Sequence, residues 1–511
     1  MEIYRHLQRL IAYGLQSKLI EEEDVIFVRN RLMALFRLED WPEIPGDPGE
    51  IPEYPQGILD ALCDLAVQKK LIEDSGLVRD IFDTEIMGIL TPFPATVTGK
   101  YRELLRKKSV KAATEWFYGF SRKTNYIRTE RIQKNLYWLT PTEYGDLEIT
   151  VNLSKPEKDP RDIERERNAP RKSYPKCLLC YENVGFEGGI THPARQNHRV
   201  VPLSIDDDPK EKWYLQYSPY IYYNEHAIIF SAEHRPMKID YAAFDRITKF
   251  VETYPHYFLG SNADLPIVGG SILTHDHYQG GNHTFPMALA PVEKPLIFRG
   301  FEDIRAGIVK WPMSVIRLRS PERKLLVTLA DRILSAWRGY SDESLGILAR
   351  SGDIPHNTIT PIARKTGKDF ELDLVLRNNR TTAEYPLGIF HPHPEVHHIK
   401  KENIGLIEVM GLAVLPGRLK EELSILEDCL VSRQWREKIR DNAAVVKHLD
   451  WVEAIIRSRG KPERKNIQEL LREETGKTIL KVLSFAGVFK RDKKGQEGFQ
   501  NFIAFVNKNL G

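Results

Sequence analysis

Cysteine and net charge are both scarce in this chain of 511 residues. Four cysteines are too few for a disulfide-stabilised fold of this length, and Cys63 and Cys429 lie in apolar helical patterns typical of core positions. The 74 basic and 71 acidic residues leave a net charge of only +3, which gives no general attraction to nucleic acid. We therefore expect no nucleic acid partner.

Long apolar runs are also absent from the sequence. The nearest candidate, 404–415, is shorter than the ~18–20 residues that cross a bilayer, and it contains Glu408. Residues 1–19 carry polar side chains at helical spacing and lack the apolar core and cleavage site of a secretory signal. The sequence predicts a cytoplasmic protein that does not bind membranes.

Common nucleotide and hydrolase signatures are missing: there is no Walker loop, no G-x-G-x-x-G after a strand and no G-x-S-x-G. The most unusual stretch is instead "GGSILTHDHYQGGNH" (269–283), in which pairs of glycines flank polar residues. If 271–279 is a strand, alternation places His275, His277 and Gln279 on one face. The glycines would let backbone approach a ligand. This pattern favours a chemical site, with a hydrogen-bonded surface ladder as the alternative.

A single C-x-x-C occurs, at Cys177 and Cys180. This is the spacing of half a zinc site. A redox dithiol is a second interpretation, although that motif normally opens a helix and "YEN" followed by "GFEGG" is a poor helix start. A third interpretation is a chance pair of core cysteines. Because no second C-x-x-C exists, zinc would need histidine or carboxylate ligands from elsewhere in the chain.

Two further clusters are candidates for anion or metal binding. "SKPEKDPR" follows a predicted strand and carries Lys155, Lys158 and Arg161, which could contact phosphate, although a charged turn explains them equally well. "FHPHPEVHH" gathers four histidines between His391 and His398. Its prolines predict an irregular loop, in which these imidazoles form a site or are simply solvated.

The periodicity of apolar residues predicts an α+β protein. Helical period fills 1–140, apart from a proline-rich linker at 40–55; strand-like alternation then dominates to about residue 420, and helical period returns beyond it. We divide the chain into four regions: 1–140, 141–305, 306–420 and 421–511.

Local patterns refine this layout. Helices are expected at 242–255 and 321–338, and a strand at 402–416. The similar hexamers "ITHPAR" (190–195) and "ITPIAR" (359–364) are consistent with a duplicated α+β unit.

At this point the motifs resemble a known family. Gly269–Gly270–Ser271, followed by His275–Asp276–His277–Tyr278–Gln279, resembles the active-site strand of galactose-1-phosphate uridylyltransferases, members of the histidine-triad superfamily. The better-known branch has Gly-Cys-Ser and then His-Pro-His-x-Gln, so this chain has one extra residue and Asp276 in place of proline. "YPKCLLC", "HPARQNH" and "YGDLEITVNLSKPEKDP" resemble the second, bacterial sequence type over nearly the whole chain.

The resemblance implies a fold and three sets of site residues. The fold is a duplicated histidine-triad-like antiparallel-sheet core, comprising 141–305 and 306–420, flanked by helical N- and C-terminal regions. Structural zinc, with no organic cofactor, is held by Cys177, Cys180, His234 and His275. The catalytic residues are the nucleophile His277 and Gln279, which holds the phosphoryl group. The substrate-binding positions are Asn224, Glu225, Asn262, Ser271 and Glu408; the charge pattern, rather than the resemblance, adds Lys155, Lys158 and Arg161 as candidate phosphate contacts.

The implied reaction exchanges a uridylyl group between UDP-glucose and galactose 1-phosphate through a covalent uridylyl-histidine. The other nitrogen of His277 is expected to donate to a backbone carbonyl. UDP-glucose, UDP-galactose and hexose 1-phosphates are the expected small-molecule partners, and a homodimer is expected. The alternatives are another histidine-triad nucleotidyltransferase, a dinucleoside polyphosphate phosphorylase or hydrolase, or a zinc-stabilised binding module without catalysis.

Overall fold

The computed structural model describes residues 1–43, 49–153, 173–270 and 272–510, and these divide into two compact units. The first unit contains the described residues of Met1–Lys134, Ser154–Ile221 and Glu225–Arg235. The second contains those of Asn135–Leu153, Tyr222–Asn224 and Pro236–Gly511. The four regions expected from the sequence remain a prediction.

The elements are numbered here in chain order. The helices are α1 Glu2–Gln16, α2 Val25–Leu35, α3 Gln56–Gln68, α4 Gly76–Leu90, α5 Pro94–Lys107, α6 Val110–Lys123, α7 Thr129–Ile132, α8 Tyr241–Thr253, α9 Pro286–Leu289, α10 Arg323–Gly339, α11 Leu406–Val409, α12 Arg418–Val431, α13 Trp435–Arg440, α14 Leu449–Arg459, α15 Ile467–Ala486 and α16 Lys493–Lys508. The strands are β1 Leu136–Thr140, β2 Leu147–Asn152, β3 Val201–Leu203, β4 Trp213–Tyr217, β5 Ala227–Ser231, β6 Phe258–Gly260, β7 His277–Gly281, β8 Val292–Leu296, β9 Arg305–Val309, β10 Val315–Ser320, β11 Arg350–Ser351, β12 Ile354–Pro355, β13 Asn357–Thr366, β14 Asp369–Asn378 and β15 Leu412–Pro416.

The first unit combines helices α1–α7 with the antiparallel strands β3, β4 and β5. Leu7 and Leu10 of α1 are fully buried, as the three-and-four spacing of the sequence predicts. Helices α4 and α6 are N-capped by Ser75 and Ser109, whose side chains accept a backbone N–H of the first turn. The helical N-terminal region expected from the sequence is confirmed.

The second unit contains a run of seven hydrogen-bonded strands in the order β7–β6–β13–β14–β10–β9–β8. Its centre is the hairpin of β13 and β14, which are ten residues each and antiparallel. Helices α8 and α10 pack against each other and against β13. A separate sheet joins β1, β2 and β15, with β15 parallel to β2. The α+β class predicted from the sequence is confirmed.

One predicted strand is wrong in its first half. Residues 402–416 contain the helical turn α11 before β15 begins at Leu412. The Glu408 side chain accepts the backbone N–H of Gly405, an arrangement that caps a helical turn and competes with an extended chain. Over the described residues, no helix is long and apolar enough to cross a membrane.

Candidate active site and metal site

His277 is the first residue of β7, and its buried imidazole has a defined tautomer. Its Nδ1 lies 2.7 Å from the backbone carbonyl oxygen of His275. Because a carbonyl can only accept, Nδ1 carries the proton and Nε2 keeps the lone pair, as expected from the sequence. Burial lowers the pKa of His277 to about 4, and the bond to His275 opposes that shift. A neutral imidazole with its lone pair on a known nitrogen is equipped to act as a nucleophile.

The strand that carries His277 is shorter at its N-terminal end than the sequence predicts. We expected it over 271–279, but β7 begins at His277, and His275 lies in a turn before it. His277 and Gln279 still share one face of the strand, since side chains alternate. His275 is fully buried, but it lies outside the strand, so strand alternation does not place it on that face.

The glycines that flank this stretch allow close approach of protein backbone. A Cβ on Gly269 would lie 2.5 Å from the carbonyl oxygen of Ala263, and one on Gly280 would lie 2.5 Å from that of Phe258. No side chain tolerates such distances, so these two positions require glycine. The sequence predicted close approach to a ligand, whereas the neighbours observed are β6 and the segment after it. The glycines therefore set how tightly β7 packs.

Asn262 and Glu408, two predicted substrate positions, converge on Gly405. Asn262 Oδ1 accepts the backbone N–H of Leu406 at 2.9 Å, and the Glu408 carboxylate accepts the N–H of Gly405 at 3.1 Å. A Cβ on Gly405 would lie 3.2 Å from Asn262 Oδ1 and 3.3 Å from Glu408 Oε2. Glu408 also accepts from Lys400 Nζ at 3.1 Å. Both side chains are held by several contacts and point toward a shared glycine.

Cys177, Cys180 and His234 form a cluster within the first unit. The two Sγ atoms lie 3.5 Å apart, which is too long for a disulfide, and Cys180 Sγ lies 3.2 Å from His234 Nδ1. Asn183 Nδ2 donates to the backbone carbonyls of both cysteines at 2.8 Å and so fixes the loop between them. Two thiols and an imidazole are donors that suit a tetrahedral zinc site, and the group could hold a metal ion.

The Cys180 thiol is a weak acid in its buried surroundings. Burial, together with the neighbouring Cys177 thiol, raises the pKa of Cys180 to about 12. A divalent cation bound by the cluster would displace the thiol protons, since the ligand is the thiolate.

The remaining predicted substrate residues have separate surroundings. Asn224, in the second unit, donates from Nδ2 to the carbonyl of Asn282 at 3.3 Å, just beyond the end of β7. Glu225, in the first unit, is buried, and its backbone hydrogen-bonds to the hydroxyl of Tyr118. Four predicted residues lie outside the described part of the chain: Lys155, Lys158, Arg161 and Ser271.

Other histidines near these motifs have structural contacts. His283 Nε2 lies 2.9 Å from a carboxylate oxygen of Glu148 on β2, and its ring stacks on Tyr223. In the histidine-rich loop, His393 donates to the carbonyl of Ile389 at 3.0 Å. His397 likewise donates to a backbone carbonyl, at 2.8 Å. Each of these bonds uses one ring nitrogen and leaves the other nitrogen of that ring with its lone pair.

Sequence reasoning missed two buried cations near Glu408 in the second unit. Lys400 lies in "HIKKEN", which looks like a solvated charge run, yet it is buried and contacts Glu408. Arg377, on β14, is 1% exposed and donates to the carbonyl of Ile404 at 2.9 Å. Burial lowers the pKa of Arg377 to about 10, and the charge of Glu408 opposes the shift. The one sequence signal for the burial of Arg377 was its position directly after the largely apolar run "LDLVL".

Comparison with protein families gives two matches that together cover most of the chain. Residues 18–236 match the model of the galactose-1-phosphate uridyl transferase N-terminal domain. Residues 250–443 match the model of the C-terminal domain of the same family. The described candidate residues thus fall within the matched segments.

Curated relatives match this chain over nearly its full length. A galactose-1-phosphate uridylyltransferase of Fusobacterium nucleatum is 60% identical over 99% of both chains. Those of Caldanaerobacter subterraneus and Bacillus subtilis are 53% and 48% identical, each over 98% of this chain and over 97% and 98% of their own. Among solved structures, a yeast Ap4A phosphorylase has a TM-score of 0.32 and 13% identity over 59% of this chain and 89% of its own. A TM-score of that size shows neither a shared fold nor a shared activity.

Proposed function

The chain belongs to the galactose-1-phosphate uridylyltransferase family; it exchanges a uridylyl group between UDP-glucose and galactose 1-phosphate, and we propose that the group passes through a covalent bond to His277. This activity takes the place of the alternatives weighed from the sequence, a dinucleoside polyphosphate enzyme and a non-catalytic binding module.

One observation carries the choice of His277. Its Nδ1–H donates to the His275 carbonyl, so the lone pair is on Nε2 and the ring cannot rotate without losing that bond. Burial also favours the neutral form of the ring. A histidine nucleophile needs both properties, because only an unprotonated nitrogen attacks phosphorus.

The proposed transfer has two balanced steps. Nε2 of His277 attacks the α-phosphorus of UDP-glucose, the bond from that phosphorus to the bridging oxygen breaks, and glucose 1-phosphate leaves with the bonding electrons. A phosphate oxygen of galactose 1-phosphate then attacks the same phosphorus, and the P–N bond breaks to give UDP-galactose and neutral His277. The leaving groups are weakly basic phosphates, so neither step needs a strong general acid.

The neighbouring residues are proposed to bind and orient. Gln279 shares the face of β7 with His277 and would donate to a non-bridging phosphoryl oxygen, with Ser271 as a second donor. Asn262 and Glu408 would contact the nucleoside or sugar hydroxyls, and so would Asn224 and Glu225. Lys155, Lys158 and Arg161 would neutralise phosphate charge.

We propose that zinc has a structural role. Cys177, Cys180 and His234 supply three donors, and by resemblance His275 is the fourth. His275 also provides the carbonyl that fixes the tautomer of His277. Bound zinc would contribute folding energy and would hold the turn before β7 in place. The chain's own residues carry out the transfer.

We further infer that the protein acts in the cytoplasm as a homodimer. Its four cysteines are all unbridged, as expected in a reducing compartment. The dimer follows the resemblance to the family.

The test of His277 is mass spectrometry of the intact protein after incubation with UDP-glucose. Wild type should gain one uridylyl mass, and peptide mapping should place it on His277. His277→Ala should show neither the adduct nor the exchange. The matched control is His283→Gln, which changes a histidine of the same motif but keeps a donor for Glu148. An adduct of unchanged yield on His277→Ala would remove His277 from this role.

A further inference from the structure

A cavity of about 430 Å³ lies in the second unit, away from His277. Its floor is formed by Arg305 of β9 and by Arg317 and Arg319 of β10. Four strand spacings separate β7 from β10, which is roughly 19 Å at ~4.8 Å per strand. The volume lies within the range of small-molecule sites.

The strand register places like charges side by side at this cavity. Arg319 is directly opposite Arg305 on the neighbouring antiparallel strand. Arg317 is two residues from Arg319, so the three guanidinium-bearing side chains share one face of the sheet. Like charges at directly opposed positions are destabilising. An arrangement of this kind needs compensating negative charge.

Carboxylates compensate the arginines only in part. On the same face of β14, Asp369 pairs with Arg305, Glu371 with Arg319, and Asp373 with Arg317. Arg364 of β13 pairs with both Glu371 and Asp373. Four arginines therefore meet three carboxylates, and one positive charge is left over.

The donors of the three arginines differ in availability. Arg317 is saturated, because it contacts Asp373 with two nitrogens and donates to the carbonyls of Met287 and Ala290. The Nε of Arg319 is buried without a hydrogen-bond partner among the described residues, whereas the side chain as a whole is 34% exposed. Arg305 is 65% exposed at the cavity edge. Burial and the charges of Arg305 and Arg317 lower the pKa of Arg319, and the charges of Asp369 and Asp373 oppose that shift.

We propose that this cavity binds the phosphate group of a phosphorylated small molecule, at a site separate from the transfer reaction. A phosphate monoester carries about −1.5 to −2 charges and accepts several hydrogen bonds, which matches two adjacent guanidinium groups. Arg305 and Arg319 donate to its oxygens, and Arg317 forms a rigid floor. The other lining residues are apolar and accommodate the organic part: Ala288, Leu289, Ala290, Pro291, Val292 and Ala306.

The experiment is calorimetric titration of the full-length protein with glucose 6-phosphate, inorganic phosphate and glucose. In the His277→Ala background, no turnover occurs during the measurement. Both phosphates should bind and glucose should not. Arg305→Met and Arg319→Met should each weaken binding roughly 10-fold or more, the usual cost of a charge-assisted hydrogen bond. The control is Arg332→Met, which removes an exposed arginine of α10 outside the cavity and should bind like the parent.

Arg305→Met is the decisive variant, because Arg305 is exposed and its loss leaves the buried ion pairs intact. In an otherwise wild-type chain it should retain uridylyl exchange, which shows that it folds. Equal affinities for glucose 6-phosphate in the parent, Arg305→Met and Arg319→Met would overturn the proposal. Failure of the parent to bind either phosphate would overturn it as well, without touching the role of His277.

Discussion

At the residue scale, single hydrogen bonds orient the candidate site residues. The contact from His277 Nδ1 to a backbone carbonyl selects one tautomer, and its length of 2.7 Å shows a close-fitting donor. In the first unit, the Asn183 side chain donates hydrogen bonds to the backbone carbonyls of Cys177 and Cys180. In each case a polar contact to backbone holds a candidate site residue in place.

Gln279 provides a prediction for phosphoryl binding. Gln279→Ala should slow formation of the adduct by about 10²-fold, because one donor to a non-bridging oxygen is typically worth ~3 kcal/mol. Gln279→Glu keeps the shape but places a negative charge beside phosphate, and it should be at least as slow. Single-turnover mixing with UDP-glucose measures this rate directly. A rate within twofold of wild type for both variants would exclude Gln279 from that role.

Cys180 provides a prediction for the metal. Cys180→Ser should release the bound metal and lower the thermal midpoint, because the hydroxyl is a poor ligand for zinc. Elemental analysis by mass spectrometry and thermal unfolding measure the two effects. Cys429→Ala is the matched control, since it removes a buried thiol of α12 that lies outside the cluster. Full zinc occupancy in Cys180→Ser would contradict the proposed ligand set.

At the scale of elements, the position of β7 depends on the strand beside it and the helix behind that strand. β7 pairs with β6, and α8 packs on both β6 and β13. Glycine at 269 and 280 brings the backbones close enough for this arrangement. Sequence periodicity predicts α8 and most strands, but it does not predict that β7 begins at His277, because the turn before it arises from contacts with residues distant in sequence.

The N-cap of α8 provides a prediction at this scale. Asp240 accepts the backbone N–H of Ala243 at 3.1 Å. Asp240→Ala should therefore reduce the free energy of unfolding by about 0.5–2 kcal/mol. Asp240→Asn, the control, retains the cap and should lose much less. Urea denaturation followed by circular dichroism tests both, and equal losses for the two variants would show that the cap is not the source.

At the scale of the whole molecule, the chain divides into two compact units. Each unit contains some of the site residues that the resemblance to the family predicts. The first contributes a Cys–Cys–His cluster, and the second contributes His277, Asn262 and Glu408. The net charge of +3 is too small to direct binding by itself. Local charge is concentrated instead on β9, β10 and β14, where arginines outnumber carboxylates.

The oligomeric state is predicted at the scale of the molecule. One chain has a mass of 59.0 kDa, so a homodimer should have a mass of about 118 kDa, twice that value. Light scattering coupled to size-exclusion chromatography measures this without reference to shape. A mass of about 59 kDa at micromolar concentration would disprove the homodimer.

The sequence by itself determined the residue types and the period of each element. Histidines, a C-x-x-C and glycines at characteristic spacings pointed to the family, and alternation predicted the α+β class, because these signals are local in the chain. Tertiary structure alone decided which side chains are buried and what they face. Lys400 looks solvated in sequence yet is buried against Glu408, and Arg305 faces Arg319 only because two strands pair in that register. Such facts depend on long-range packing, and no local pattern contains them.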